Sequence, residues 1–296
     1  MATRETSAGE PRKAYEILAP DRQGAPVVFA SPHSGTDYPA DFLASSPLDL
    51  LALRRSEDSF VDALFAAAPE RGMPLLRALF PRAFVDPNRE PFELDPAMFE
   101  DTLPTYANTG SSRVAAGLGT IARVVSSGQE IYAAKLRFMD AAQRINAYYR
   151  PYHRALRTLL DNTRRSFGCY LLIDCHSMPS VGGPYDPDAG RQRPDFVLGD
   201  CFGGSCADAV VSEVEETLRV RGYQVTRNRP FAGGFTTRHY GRPAQGLHAL
   251  QIEINRGLYM DEALIRPTDG MAELTASLTS LIDTLARIDP TRLRIR

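Results

Sequence analysis

The chain has 296 residues, 43% of them hydrophobic and 24% charged, with a formal net charge of −2. That length holds one large α/β domain or two small ones around a sizeable core, and the composition is ordinary for a globular protein in water. A charge near zero, with arginines scattered along the chain, excludes the basic footprint that nucleic acid or an anionic membrane would require.

Residues 1–12 are polar and read as a flexible terminus, leaving 13–296 as a single domain. Met1 to Ala19 lacks the apolar segment of a secretory signal, and no apolar run approaches a membrane span, so a cytoplasmic protein is expected. Cys169, Cys175, Cys201 and Cys206 form no CxxC pair and read as small buried hydrophobes.

The first buried strand is Val27–Ser31, followed by a Ser/Gly/Pro/Asp-rich loop from Pro32 to Pro47. Phe60, Val61, Leu64 and Phe65 fall at helical spacing and predict a helix from about Ser59 to Ala68. Asp58 stands at its amino edge, where a helix cap is the simplest role. Leu75–Leu79 and Ala83–Val85 read as short strands, the second ending in Asp86-Pro87-Asn88-Arg89. Residues 90–127 have no period, and so long an excursion in a compact domain reads as a lid or binding loop. Apolar residues recur at helical spacing from Gln129 to about Thr163, and Pro151 predicts a kink or break into two pieces. His153, just after it, reads as a packed or capping histidine.

Leu171–His176 is a strand whose apolar run ends in Asp174-Cys175-His176-Ser177. Strict alternation turns Cys175 away from the face that Asp174 and His176 share. Further on, Phe196–Asp200, Tyr223–Thr226 and His248–Arg256 read as strands, Ala207–Arg219 and Gly270–Ile288 as helices, and Arg229–Gly246 as a loop. Strands alternating with helices predict an α/β fold with a mostly parallel sheet.

His33, Asp58, His176 and Glu253 stand at strand ends or just beyond them. Two histidines and a carboxylate are the protein ligands of a catalytic zinc site that keeps a position open, and a further carboxylate can serve as general base. Spacing alone says little here, because there is no HExxH and the two histidines are far apart.

Ser31-Pro32-His33-Ser34-Gly35, Asp58, Val85-Asp86-Pro87-Asn88-Arg89, Asp174-Cys175-His176-Ser177, Gly233-Gly234 with Arg238-His239-Tyr240-Gly241, and Gln251-Ile252-Glu253 together resemble the N-formylglutamate amidohydrolase family. The resemblance runs from about Val27 to Tyr259. It implies a three-layer α/β/α sandwich around a mixed, largely parallel sheet, of the zinc-carboxypeptidase-like (phosphorylase/hydrolase-like) kind, related also to succinylglutamate desuccinylases. It implies one Zn2+ per chain held by His33, Asp58 and His176, with Glu57 the alternative to Asp58 because no acid completes an HxxE after His33. It implies Glu253 as general base, Asn88 and Arg89 as the holders of a substrate carboxylate, and Arg238 and His239 as candidates for the second carboxylate or the oxyanion. Asp174 stands open between partner of His176 and satisfied strand-end acid. The implied reaction is hydrolysis of N-formyl-L-glutamate to formate and glutamate, in histidine degradation. A hydrolase for another acidic N-acyl amino acid on the same scaffold, or a catalytically silent binding protein, are the alternatives. No nucleic-acid or membrane partner is expected, and oligomeric state is not legible.

Overall fold

The computed structural model describes residues 13–183, 186 and 188–294; the reading of 1–12 as flexible lies outside them. Among the described residues the strands are β1 (Tyr15–Leu18), β2 (Val27–Ser31), β3 (Leu75–Ala78), β4 (Tyr170–Met178), β5 (Phe196–Gly199), β6 (Val225–Arg227) and β7 (Leu247–Asn255). They form one seven-stranded sheet in the order β1-β3-β2-β4-β7-β5-β6. β3, β2, β4 and β7 run parallel, β1 pairs antiparallel with β3, and β5 pairs antiparallel with β7. The sheet is therefore mixed and largely parallel, as expected.

The helices are α1 (Ala40–Ser45), α2 (Leu50–Arg54), α3 (Val61–Leu64), α4 (Ser112–Ala115), α5 (Phe138–Arg144), α6 (Arg150–Phe167), α7 (Asp208–Arg219), α8 (Phe235–Tyr240) and α9 (Gly270–Ala286). Side-chain alternation on the strands divides the core into two layers. Val27 and Phe29 of β2 and Leu171, Ile173 and Cys175 of β4 face α3, α7 and α9. Val28, Ala30, Tyr170 and Leu172 face the other way, against Tyr152, Leu156 and Leu160 of α6 and Phe42 of α1. No described helix is long and apolar enough to cross a membrane.

The two longest strands explain where the chemistry sits. All nine residues of β4 and all nine of β7 are buried. On the face toward α3, α7 and α9 they are apolar from Leu171 to Cys175 and from Leu250 to Ile254, with Cys175 opposite Ile252. On the opposite face both change character along their length: Leu172 gives way to Asp174 and His176, and Ala249 to Gln251 and Glu253. The strands continue past these residues to Met178 and Asn255, so His176 and Glu253 belong to the ladder and are not at its ends.

Several expected elements change. Ala83–Val85 is a turn closed by Phe84 N–H donating to Pro81 O, not a strand. The helix expected from Ser59 shortens to α3, because Phe60 adopts a left-handed φ of 67° and holds the start of the helix at Val61. The loop after β2 contains α1 and α2, and the loop before β7 contains α8, so Arg238 and His239 are helical. The long helix begins at Phe138, not Gln129, and does not break at Pro151: five residues, Ile145–Tyr149, wind as a π-helix between α5 and α6. A wider turn directly before Pro151 accommodates the missing N–H that would have broken a regular α-helix. β1 went unread because its burial is partial and it lies at the sheet edge.

Gly35 is needed where the chain leaves β2. A Cβ there would lie 2.3 Å from Phe80 O and 2.5 Å from the Leu79 carbonyl carbon, both rigid backbone atoms. Gly35→Ala is expected to destabilise the fold by about 1–3 kcal/mol through overpacking, measured by chemical denaturation, and a change within ~0.5 kcal/mol would contradict this tight approach.

Candidate metal centre

Two loops meet at the carboxyl edge of β2. His33 lies two residues beyond β2, and its carbonyl accepts from Asp58 N–H at 3.1 Å. Ser34 Oγ donates to Asp58 O at 3.0 Å and accepts from Asp62 N–H at 3.2 Å. Three local bonds hold the His33 and Asp58 segments together, and a 2.7 Å contact between the Ser31 and Ser34 hydroxyls braces the first of them. This is why a dipeptide remote from β2 in sequence joins its histidine. The Asp58 side chain caps no helix; it points inward.

Asp58 Oδ2 lies 3.2 Å from His33 Nδ1 and 2.9 Å from His176 Nδ1. All three residues are at least 98% buried, and their donor atoms lie within 4.8 Å of one another. Neighbouring Glu57 is committed elsewhere: it accepts from Tyr38 at 2.8 Å, Arg54 at 3.1 Å and Ser59 at 2.7 Å. It is Asp58, then, whose carboxylate sits between the imidazoles. The far nitrogens are also provided for. His33 Nε2 lies 2.8 Å from Asp86 Oδ1, and His176 Nε2 lies 3.0 Å from Asp174 Oδ2 and 3.1 Å from Asn88 Nδ2.

Guanidinium groups enclose these acids. Arg256 Nη2 donates to Asp58 Oδ1 at 3.0 Å, while its Nε donates to Ser177 Oγ at 3.1 Å. Arg82 Nη2 donates to Asp86 Oδ2 at 2.8 Å. Burial alone would raise both acids; the His176 and His33 rings beside it hold Asp58 well below the usual range, and Arg89, Arg82 and His33 do so for Asp86. Burial would likewise depress His176, but Asp174 and Asp58 hold it well above an ordinary histidine. Asp86, Arg82 and Arg256 had no role in the sequence reading. Asp86 opens the Pro87 turn and Arg256 directly follows β7, positions that could have flagged them.

Glu253 sits in register with His176 across the β4–β7 ladder. It is 8% exposed, and Gln251 Nε2 donates to its Oε1 at 2.8 Å. Burial pushes its carboxyl up to about 7, against the pull of His176, Arg82 and Arg256.

Beside this centre lies a cavity of about 510 Å³ whose lining includes Asn88, Arg89, Arg238 and His239. Asn88 is the shared wall. Its Nδ2 contacts His176 and its Oδ1 accepts from Thr236 N–H at 2.8 Å, so its amide orients the site and is not free for a ligand. Gly234 makes room for it, since a Cβ there would lie 2.4 Å from the Asn88 amide. Arg89 directs Nε to Leu118 O and Nη1 to Asn88 O, both at 2.7 Å, and burial draws it down to about 10. Arg238 is exposed, with Nη1 3.5 Å from Gly233 O. His239 stacks on Phe235 and lies 2.9 Å from Arg157 Nη2, so Arg157 occupies the ring nitrogen. The structure thus brings His33, Asp58, His176 and Glu253 to one centre, with Asn88 against it, and sets Arg89, Arg238 and His239 around the adjoining cavity.

The π-helical turn and α6 support the Asp86–Arg89 turn from behind. His153 Nε2 donates to Pro87 O at 2.7 Å, its Nδ1 accepts from Tyr240 OH at 2.9 Å, and Tyr149 OH donates to Arg89 O at 2.7 Å. Burial lowers His153 to about 4, so it stays neutral and keeps one donor and one acceptor.

The donor set fits a divalent cation. With Nε2–H of each ring turned to a carboxylate, both Nδ1 lone pairs face the same Asp58 oxygen, which is acceptor against acceptor. A cation or extra protons must relieve that arrangement. The surplus extends outward: Asp174 Oδ1 and Gln251 Oε1 are buried without a hydrogen-bond partner among the described residues. Two imidazoles and a carboxylate are also the ligand types zinc takes in open catalytic sites.

A family model described as N-formylglutamate amidohydrolase matches residues 25–260. The chain is 32% identical over 252 residues to an N-formylglutamate deformylase of Pseudomonas aeruginosa, covering 83% of this chain and 86% of that protein. It is 30% identical over 254 residues to the one of Pseudomonas putida, with the same coverage. Among solved structures, an N-formylglutamate amidohydrolase from Ralstonia eutropha JMP134 superposes with a TM-score of 0.85 at 39% identity, over 92% of this chain and 97% of that one. A gene product of Agrobacterium tumefaciens shares the fold at 17% identity, with a TM-score of 0.66 over 93% and 95%.

Arg256→Met would leave Asp58 without the guanidinium bonded to its outer oxygen. Breaking a buried pair in this way is expected to cost about 3–5 kcal/mol of stability; unfolding in denaturant measures it, and an unchanged midpoint would show that Arg256 does not hold Asp58.

Proposed function

The chain belongs to the N-formylglutamate amidohydrolase family, and from that membership we propose that it hydrolyses the formyl amide of N-formyl-L-glutamate, using one Zn2+ on His33, Asp58 and His176. The observation that carries this reading is the buried His33–Asp58–His176 donor set with Glu253 in register beside His176. When bound, the ion supplies Lewis acidity, which polarises an amide carbonyl and makes water easier to deprotonate at neutral pH.

The rest falls to the protein. Asp86 and Asp174 hold the Nε2 protons of His33 and His176, leaving both Nδ1 atoms free as ligands. Glu253 removes the proton of the attacking water. A carboxyl near 7 suits this: about half ionised at neutral pH, and basic enough to take a proton and return it to the departing amine. Arg89 holds one substrate carboxylate at the wall shared with the centre, with Asn88 fixing that wall. Arg238 and His239, which also line the cavity, serve the second carboxylate or the developing oxyanion. Formate and glutamate leave, and the reaction serves histidine degradation in this reading. The substrate is a small acidic N-acyl amino acid met in the cytoplasm.

Turnover of an N-formyl, N-acetyl and N-succinyl panel tests the substrate; equal rates on acidic and uncharged amino acids would sink the carboxylate role of Arg89. Glu253→Gln is expected to retain about one zinc per chain and lose at least ~100-fold in kcat, whereas His176→Ala loses metal and activity together. Since protonated Glu253 cannot act as base, kcat/KM is expected to fall as pH drops through about 7 and to level off above it. A flat profile from pH 5 to 8 would place the base elsewhere.

A further inference from the structure

The cavity beside the centre carries more positive charge than its own acids neutralise. Arg89, Arg113, Arg238 and Arg242 line it, against Glu90 and Glu93. Neither glutamate pairs with a guanidinium. Glu90 Oε2 accepts from Asn108 Nδ2 at 2.8 Å, while Glu93 accepts from Ser111 Oγ and, at 3.2 Å, from Glu90 N–H. Arg89 also lies 3.5 Å from Asp86 Oδ2 behind it, so the positive charge that faces the cavity unpaired is carried by the arginines around it.

Within that surplus Arg113 stands apart. Arg89 is half spent on backbone carbonyls, and Arg242 Nη1 donates to Arg238 O and Gly241 O. The Arg113 guanidinium has neither hydrogen bond nor ion pair among the described residues; its backbone carbonyl alone is engaged, accepting from Leu118 N–H at 2.8 Å. It is also held in place. Its helix α4 is capped by Ser111 Oγ, which accepts from Val114 N–H at 3.0 Å while donating to the buried carboxylate of Glu93. Arg113 is close enough to Arg89 to oppose its charge, a repulsion that an anion between them would relieve.

We propose that Arg113 receives the side-chain carboxylate of the substrate, and so sets the preference for acidic over uncharged N-acyl amino acids while Arg89 holds the α-carboxylate. This deepens the hydrolase reading above and rests on it for the second carboxylate. It also gives the aperiodic segment 90–127 a purpose: carrying a selectivity arginine on a short capped helix across from α8.

The test is calorimetric binding of L-glutamate and L-glutamine to the zinc-loaded protein, since the two differ at the side-chain carboxylate alone. Wild type is expected to favour glutamate, and Arg113→Met to cut that preference roughly 10- to 100-fold, the range for one charge-assisted contact. Arg113→Lys should restore most of it, and exposed Arg113 is not needed for folding. A preference unchanged in Arg113→Met, equal weakening of both ligands, or no preference in wild type overturns the proposal. Turnover of N-formylglutamate is read in parallel. An Arg113-dependent preference without turnover would overturn the hydrolase reading and leave the carboxylate subsite standing; turnover with an Arg113-independent preference would do the reverse.

Discussion

Asp58 Oδ2 faces His33 Nδ1 and His176 Nδ1 at 3.2 and 2.9 Å in an interior closed to solvent. Three groups that would otherwise be solvated meet there, and the surrounding chain compensates for their desolvation. Asp86 and Asp174 stand behind the rings, Arg256 and Arg82 behind the acids, and the serines of the Ser31–Ser34 turn keep the two loops in contact. Removing any one partner leaves a buried charge or lone pair uncompensated, which costs far more than the pair contributes. The arrangement of the sheet is, in this sense, a means of bringing one carboxylate oxygen to two nitrogens.

The central strands were legible because their composition is local. A run of Leu and Ile that changes to Asp and His on alternate positions reads as a strand with one apolar and one chemical face, and β4 and β7 have that form. Asp58 stood among the candidate acids from its position alone, but its choice as a ligand came through resemblance, because its place next to a helical pattern reads as a cap. What turns it inward is the left-handed Phe60 and the Ser34 hydroxyl bonded to its carbonyl, and neither has a periodic signature. Asp86, Arg82 and Arg256 were missed for the same reason: their importance is tertiary, visible once three chain segments converge. Pro151 misled in the opposite direction, since the expected break became a π-helical turn.

That π-helical turn also connects the helical layer to the site. It sets Tyr149 and His153 four residues apart, one reaching Arg89 O and the other Pro87 O. The two bonds grip the backbone of the Asp86–Arg89 turn and leave its side chains to face the centre and the cavity. Wide turns inside α-helices recur at functional sites, and here two hydrogen bonds tie the longest helical stretch of the described fold to the turn carrying Asn88 and Arg89.

The uneven placement of charge separates two stages of catalysis by depth. The His33–Asp58–His176 set is buried, where ions of the medium do not reach, whereas Arg113, Arg238 and Arg242 stand at the surface with their field extending into water. Such a field draws an anion inward over roughly a Debye length, ~8 Å at physiological ionic strength. Encounter is therefore sensitive to salt and the bond-breaking step is not. The rim governs how often a substrate arrives, and the interior governs what becomes of it.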